Sequence, residues 1–275
     1  MLSIVEIISL DLPQLQPYRT LRRPEEHYRQ GIFIAEGEKV VRRLLNSTLT
    51  VRSLLLTPHW LDLLRPTLES RVPLVYVAPK NVVEDIVGYH LHQGIMALGV
   101  VPPPVSLRSL LPTLPRSLLL AAVDGLTNAE NIGILVRNCA AFGVQALLVG
   151  ETSASPYLRR AVRNSMGAVF RLPVVPEERL DKVLRTLRKE FGVTVVAAHP
   201  GAAQRLDQSI HFQEDCCIVF GSEGEGISKK VLEACDTAVS LPMSNAVDSL
   251  NVASASAVFL YEILRQRSES ASTTR

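Results

Sequence analysis

The residues best suited to chemistry lie in two neighbouring loops between positions 218 and 251. An apolar run at 216–220 is typical of a buried strand in a parallel sheet, and it leads into Gly-Ser-Glu-Gly-Glu-Gly at 221–226. The three glycines allow positive φ angles and the close approach of a ligand to the backbone. A second apolar run at 238–241 leads into a polar segment at 244–251. Two strand ends so close in the sequence predict one ligand site formed by both loops.

The charges of the glycine-rich loop at 221–226 argue against phosphate as that ligand. Glu223 and Glu225 place negative charge where an anion would bind. The chain also has no G-x-x-x-x-G-K-[ST] motif and no G-x-G-x-x-G after a strand. A ligand with a positive centre and an adenine base fits better, and S-adenosylmethionine is such a ligand. The alternative for this loop alone is an ordinary turn with two solvated acids.

The elements that position these loops are predicted to form an α/β fold with two domains. Residues 1–101 alternate between strand-like and helical patterns and predict a small α/β domain. Five prolines between 102 and 117 predict an extended linker. Between 118 and 267, apolar runs separated by helical patterns predict parallel βαβ units. Residues 268–275 are predicted to be a disordered tail.

Polar and glycine residues follow the predicted strand ends of the second domain. In an open parallel sheet, ligands bind outside the carboxyl ends of the strands. We therefore predict a single site that is built from several loops at one edge of the sheet. These loops comprise residues 124–131, 198–201, 221–226 and 241–251.

The formal net charge of +2 means that any binding of RNA must rely on local basic patches. Arg159, Arg160 and Arg163 lie within 157–164 without an acidic residue, and like charges at this spacing repel unless an anion neutralises them. We therefore predict that they contact RNA phosphates, with a solvated face as the alternative. Arg22, in a basic N-terminal stretch, is predicted to contact the RNA backbone, with the same alternative.

The composition gives no sign of a metal centre, a membrane span or a disulfide framework. The four cysteines lack C-x-x-C spacing and are predicted to be reduced core residues of a cytoplasmic protein. His90 and His92 alone are too few ligands for a metal, and no metal site is predicted. No apolar run reaches the roughly 18 residues of a membrane span, and the N-terminus lacks the features of a signal peptide.

Three short motifs occur in order along the second domain. Asn131 precedes Arg137 by six residues, and the glycine-rich loop reads G-x-E-G-x-G. Leu-Pro-Met at 241–243 is followed by Ser-Leu-Asn-Val at 249–252. In this order and spacing the motifs resemble those of the SpoU (TrmH) family of RNA ribose 2′-O-methyltransferases, within the trefoil-knotted SPOUT class.

The resemblance implies a fold, a cofactor and a reaction. It implies a SPOUT catalytic domain at 118–267 whose last two loops form a deep trefoil knot. Residues 33–37 and 92–95 resemble, more loosely, the L30e-like substrate-binding domain of the family, which implies that residues 1–101 bind RNA. The implied enzyme transfers a methyl group from S-adenosylmethionine to a ribose 2′-hydroxyl of tRNA or rRNA. It is also implied to be a homodimer through the knotted domain.

The resemblance further implies roles for individual residues. Arg137 is the implied catalytic arginine, either as general base or as a clamp on the RNA phosphate and the developing oxyanion. A guanidinium rarely loses its proton at neutral pH, and the clamp is the role consistent with that, but the sequence leaves the choice between the two roles open. Asn131 would hold its own loop, and Glu223 would hold the glycine-rich loop or bond another motif residue. Ser249 and Asn251 would position the ribose or the arginine, with capping of the following helix as the alternative. The residues implied to hold the cofactor are Ala198, Gly221, Gly224, Leu241, Met243 and Leu250.

Three other functions stay open from the sequence. A catalytically silent RNA-binding module of the same fold is disfavoured by the intact motif residues, including Arg137 and Glu223. An RNA methyltransferase that acts on a base is disfavoured by the Ser-Leu-Asn form at 249–251, which points to ribose. A nucleotide enzyme of the Rossmann type is disfavoured by the missing phosphate loops. The choice between tRNA and rRNA stays open as well.

Overall fold

The computed structural model divides the chain into two compact units. The first comprises Met1–Pro103 and Tyr157–Phe170, and the second comprises Pro104–Pro156 and Arg171–Arg275. The chain therefore leaves the second unit and returns to it part-way along its length. The residues that the structure describes are 2–7, 9–10, 12–207, 212, 214–244 and 249–273.

Strands and helices alternate along much of the described chain. The strands are β1 (Ser3–Glu6), β2 (Ile32–Glu36), β3 (Val51–Leu56), β4 (Leu74–Val77), β5 (Ile95–Val100), β6 (Leu119–Asp124), β7 (Ala146–Gly150), β8 (Val174–Glu177), β9 (Thr194–Ala198), β10 (Gln204–Arg205), β11 (Cys216–Gly221) and β12 (Thr237–Ser240). The helices are α1 (Gln16–Arg19), α2 (Pro24–Arg29), α3 (Glu38–Leu45), α4 (Pro58–Arg71), α5 (Lys80–Val87), α6 (Leu107–Leu110), α7 (Ala129–Ala141), α8 (Arg159–Asn164), α9 (Leu180–Phe191), α10 (Lys229–Leu232) and α11 (Val252–Thr273).

The first unit is built on a five-stranded mixed sheet with the order β1-β4-β3-β5-β2. β4 pairs in parallel with β1 and β3, whereas β5 pairs antiparallel with β3 and β2. Helix α3 shows why the local sequence folds as it does. Its apolar residues recur at helical spacing, and the structure buries Val40, Val41, Leu44 and Leu45 on one face.

The second unit is built on a seven-stranded sheet with the order β10-β12-β9-β11-β6-β7-β8. All of its pairings are parallel. The central strands β6 and β11 are buried almost throughout, which is why they read as continuous apolar runs. The predicted α/β fold with a parallel sheet is confirmed, while the trefoil knot and the L30e likeness stay predictions.

Residues 157–170, which contain α8, belong to the first unit. The ring of Phe33 on β2 lies 5.5 Å from that of Tyr157 and 5.4 Å from that of Phe170. Gly99 on β5 leaves room for this ring, because a Cβ there would lie 2.3 Å from it. Sequence patterns predicted this segment as part of the domain at 118–267, whereas the structure places it in the first unit. Its aromatic partner lies far away in the sequence, so local patterns carried no signal.

Helix α11 continues to Thr273, beyond the end predicted for the second domain. Arg265 pairs with Glu269 at 2.6 Å, and Ser268 Oγ donates a hydrogen bond to the carbonyl of Leu264 at 2.8 Å. These contacts between residues four apart stabilise a helical backbone. The predicted disordered tail is therefore wrong as far as residue 273, and residues 274–275 lie outside the described part.

All four cysteines are free thiols, of which Cys139, Cys216 and Cys217 are buried and Cys235 is half-buried. Burial raises the pKa of Cys216 to about 11 and the pKa of Cys235 to about 12, so both are protonated at neutral pH. In the described ranges, the helices are too short or too polar to cross a membrane. The same ranges contain no group of three His, Cys, Asp or Glu side chains that could hold a metal ion.

Candidate functional site

A cavity of about 380 Å³ lies at the carboxyl ends of β9, β11 and β12. This is the edge of a parallel sheet at which ligands bind. Loops after the three strands and the start of α11 form its walls. The positions implied to hold a cofactor all line this cavity, namely Ala198, Gly221, Gly224, Leu241, Met243 and Leu250.

The glycine-rich loop folds back on itself as a tight hairpin at the end of β11. Ser222 and Gly226 exchange two backbone hydrogen bonds of 3.0 and 3.1 Å, and Ser222 Oγ accepts a third from the amide of Glu225 at 3.1 Å. Gly226 has a φ of +70°, which favours glycine. A Cβ on Gly221 would lie 2.3 Å from the carbonyl carbon of Gly226. Because a side chain at position 221 would collide with backbone atoms of the hairpin, this position requires glycine.

A buried carboxylate at the end of β6 holds the chain just after this loop. Asp124 is 6% exposed, and its Oδ2 accepts a hydrogen bond from the amide of Ser228 at 2.7 Å. The contact fixes the distance between the ends of β6 and β11. Sequence reasoning missed this role because Asp followed by Gly is also typical of an ordinary turn.

Side chains from all three motifs meet in one hydrogen-bonded network. The Asn131 side-chain amide donates to the Glu223 carboxylate. Asn251 Nδ2 donates to Glu223 Oε1 at 3.0 Å and to Asn131 Oδ1 at 3.2 Å. Asn128 caps α7 by accepting from the amide of Asn131 at 3.2 Å, and Asn251 caps α11 by accepting from the amide of Ala253 at 2.9 Å. The network therefore joins the starts of two helices to the glycine-rich loop.

Arg137 and Ser249 occupy different positions from these three side chains. Arg137 is exposed on α7, two turns after the helix start. Ser249 is exposed and lines the cavity. Within the described residues, no hydrogen bond joins either side chain to the network. Both are therefore open to a ligand that approaches from solvent.

The sequence patterns placed the loop at 198–201 at the site without naming His199 or Pro200, and both of these residues line the cavity. His199 directly follows β9, and its Nδ1 accepts a hydrogen bond from the amide of Gly201 at 3.1 Å. The lining residues that sequence reasoning missed lie on the first turns of α11, and their position just after the polar segment at 244–251 was the available signal. They include Val252, Ala255 and Phe259.

The four arginines predicted to contact RNA have different environments in the first unit. Arg159 Nη1 pairs with Glu36 Oε2 at 2.6 Å, and its guanidinium lies 5.3 Å from the ring centre of Tyr89. Only 20% of the Arg159 side chain is exposed. Glu36 supplies an anion that the local sequence lacks, so charge repulsion no longer supports the phosphate contact predicted for Arg159. Arg22, Arg160 and Arg163 are exposed.

Replacing Arg159 by alanine is expected to lower the free energy of unfolding of the first unit by about 2 kcal/mol, because the Glu36 side chain, only 10% exposed, loses its closest cation. Arg163→Ala is the control, since Arg163 lies 3.5 Å from the same carboxylate but is 63% exposed. We expect this control to cost less than about 1 kcal/mol. The single tryptophan, Trp60, lies on α4 of this unit and reports urea unfolding by fluorescence. Equal losses in the two variants would contradict the assignment.

Comparison with known proteins places the chain in a family. The model of the SpoU rRNA Methylase family matches residues 118–261, which is more than half of the chain. The chain belongs to the SpoU rRNA methylase family. This confirms the family inferred from the three motifs and makes the protein a SpoU-family RNA methyltransferase.

Relatives of this SpoU-family protein match nearly its whole length. It is 34% identical over 272 residues to the uncharacterized tRNA/rRNA methyltransferase Rv0881 of Mycobacterium tuberculosis, covering 96% of this chain and 93% of that protein. Its fold is similar to that of the AdoMet-bound rRNA methyltransferase from Sinorhizobium meliloti, with a TM-score of 0.82, 22% identity and coverage of 95% and 98% of the two chains. A solved RNA 2′-O ribose methyltransferase is similar with a TM-score of 0.72, 27% identity and coverage of 96% and 99%.

Proposed function

We propose that this protein transfers a methyl group from S-adenosylmethionine to a ribose 2′-hydroxyl of a structured RNA, either tRNA or rRNA. The observation that carries the proposal is the network of Asn131, Glu223 and Asn251 beside the cavity. The network holds loops from three parts of the chain in one geometry. Catalysis depends more strongly than binding on such fixed geometry.

The cavity suits S-adenosylmethionine in size and in charge. Its volume of about 380 Å³ falls within the range of about 300–1,000 Å³ that is usual for small-molecule sites. The carboxylates of Glu223 and Glu225 favour a sulfonium cation over an anion. The rings of Phe220 and Phe259 among the lining residues supply apolar wall for a base, and Gly221 exposes backbone groups for hydrogen bonds. The related rRNA methyltransferase from Sinorhizobium meliloti is described with AdoMet bound.

S-adenosylmethionine, when bound, supplies an electrophilic methyl group. The RNA would supply the nucleophile, its 2′-oxygen. The new bond from this oxygen to the methyl carbon would form as the bond from that carbon to the sulfonium sulfur breaks, so that S-adenosylhomocysteine leaves and the hydroxyl proton passes to solvent. Arg137 clamps the RNA phosphate with its guanidinium and stabilises the negative charge that develops on the oxygen. Asn131 and Glu223 hold the motif loops, while Ser249 and Asn251 orient the ribose. Holding the ribose and the methyl group in the reactive orientation lowers the activation free energy by several kcal/mol, up to about 7–11 kcal/mol.

The choice of ribose as the target rests on the Ser-Leu-Asn sequence at 249–251 and on the likeness to the RNA 2′-O ribose methyltransferase. We assign contacts with the RNA backbone to Arg22, Arg160 and Arg163, whose side chains are exposed in the first unit. Arg159 is omitted because Glu36 already neutralises it. The cytoplasmic location stays a prediction.

The homodimer is proposed to form through α11. Val258, Tyr261 and Leu264 on this helix are 45%, 57% and 42% exposed, a cluster of apolar side chains that a partner subunit would cover. Light scattering is expected to give a dimer for the wild type and a monomer for Val258→Glu, because a carboxylate is costly to bury. Leu63→Glu, at a 52% exposed position on α4, is expected to stay dimeric. A monomeric wild type would refute this interface.

The deciding experiment uses tritiated S-adenosylmethionine and total RNA from a strain that lacks the gene. After incubation the RNA is digested to nucleosides, and label is expected in a 2′-O-methylnucleoside. The size of the labelled RNA then distinguishes tRNA from rRNA. Label in a base-methylated nucleoside would contradict the ribose target. A protein that does not bind S-adenosylmethionine in calorimetry would contradict the whole proposal.

A further inference from the structure

Asn138 lies on α7 directly after Arg137 and contacts the first turns of α11. Its Nδ2 donates hydrogen bonds to the carbonyl oxygen of Ala253 at 2.7 Å and to Oγ of Ser256 at 3.0 Å. Ser256 is fully buried, and its hydroxyl donates to the same Ala253 carbonyl at 2.8 Å. One side-chain amide therefore bridges two helices that lie far apart in the sequence.

Asn138 and Asn131 share one face of α7. They are seven residues apart, close to two helical turns, so their side chains project in nearly the same direction. Asn131 Oδ1 accepts a hydrogen bond from Asn251, the residue just before α11. Helix α7 thus holds the chain on both sides of Val252, through Asn251 before it and Ala253 after it.

We propose that Asn138 is a positioning residue for methyl transfer. By fixing the first turns of α11, it sets the place of Asn251 and of Val252 and Ala255, two residues that line the cavity. The inference deepens the proposed function and rests on it. Arg137 lies on α7 and Asn251 caps the start of α11, so a shift of α11 along α7 changes the distance between them. A misplacement of about 1 Å can cost about 100-fold in rate.

The chemistry of the contact explains why an amide serves at this position. The Asn138 side chain carries two N–H donors, and its contacts are a carbonyl and a hydroxyl oxygen. Aspartate has nearly the same size but offers no donor when ionised. Removal of the amide leaves Ser256 bonded to the Ala253 carbonyl, so no buried hydroxyl is orphaned. The fold is therefore expected to survive substitution.

Gln145 offers a matched control in the same unit. It is also a half-buried amide with two hydrogen bonds, since Oε1 accepts from the amide of Leu119 at 2.9 Å and Nε2 donates to the carbonyl of Pro115 at 3.0 Å. These contacts lie where β6 begins, at the amino ends of the strands, whereas the cavity lies at their carboxyl ends. Gln145→Ala is expected to lose similar stability without any loss of catalysis.

The test compares Asn138→Ala, Asn138→Asp and Gln145→Ala with the wild type. The measurements are single-turnover transfer of tritiated methyl to total RNA from a strain that lacks the gene, calorimetric binding of S-adenosylmethionine, and the melting temperature. Both Asn138 variants are expected to lower the rate about 10- to 100-fold and to weaken cofactor binding several-fold. Gln145→Ala is expected to keep the rate and the affinity at a comparably lowered melting temperature.

A wild-type rate and affinity in Asn138→Ala would overturn the inference, and so would an equal loss in Gln145→Ala. The wild type tests the proposed function in the same assays, whereas the ratio of variant to wild type tests Asn138. If the wild type binds S-adenosylmethionine but labels no RNA, the proposed substrate is wrong. The ratio of cofactor affinities then decides the role of Asn138.

Discussion

Replacing Arg137 by alanine is expected to abolish methyl transfer while the affinity for S-adenosylmethionine stays within a few-fold of the wild type. The expectation follows from its place in the structure. Arg137 is exposed on α7, whereas the cavity is walled by the loops after β9, β11 and β12 and by α11. Loss of one well-placed donor to a developing oxyanion typically costs about 100- to 1,000-fold in rate, and the phosphate clamp is lost as well.

The measurements are single-turnover methyl transfer and calorimetric titration of the cofactor. Arg185→Ala serves as the matched control, because Arg185 is an exposed arginine on α9 of the same unit. We expect it to keep full activity. Arg137→Lys retains the positive charge without the planar fork, and it should recover only part of the rate. Loss of cofactor binding in a folded Arg137→Ala protein would refute the assignment.

A single methyl group at Gly221 is expected to abolish cofactor binding and to lower the melting temperature. A Cβ at this position would lie 2.3 Å from the carbonyl carbon of Gly226 and 2.4 Å from the amide nitrogen of Ile227. Both obstacles are backbone atoms, so the glycine-rich hairpin must open to make room. The opened loop no longer presents the same cavity wall, and the bonds between Ser222 and Gly226 are lost.

Two other glycines of the same loop provide graded controls for Gly221→Ala. Gly224 faces open space and is not in the left-handed region, so Gly224→Ala is expected to keep the melting temperature of the wild type. Gly226 also faces open space, but its φ of +70° strains any other residue by about 1–3 kcal/mol. Thermal denaturation should therefore give the smallest loss of melting temperature for Gly224→Ala, a larger loss for Gly226→Ala and the largest for Gly221→Ala. Equal melting temperatures of Gly221→Ala and Gly224→Ala would contradict the packing argument.

Much of the second unit and its site could be predicted from local sequence patterns. Apolar runs mark β6 and β11, and glycine and asparagine after them mark loops at a strand end, which in a parallel sheet is a binding edge. The resemblance to the SpoU family singled out Asn131, Glu223 and Asn251 within these loops, and the structure brings their side chains together.

The contacts that local patterns could not predict join residues far apart in the chain. Glu36 neutralises Arg159 across more than a hundred residues, so the basic stretch at 157–164 read as an unpaired charge cluster. Asp124 holds Ser228, and Asn138 holds Ser256, by the same kind of distant pairing. Periodicity and turn chemistry describe what each segment prefers by itself. The partner of a buried polar group, in contrast, depends on which distant segments pack against it.

The route of the chain through its two units has a consequence for the order of events during protein synthesis. The sheet of the first unit is complete once Val100 has been made, but Phe33 on β2 still lacks Tyr157 and Phe170. Glu36 also lacks its partner Arg159 until residue 159 has been made. The first unit therefore cannot finish folding on the ribosome until the first part of the second unit, Pro104–Pro156, has been translated. A fragment cut at Pro103 would retain every strand of its sheet and expose an uncovered aromatic face.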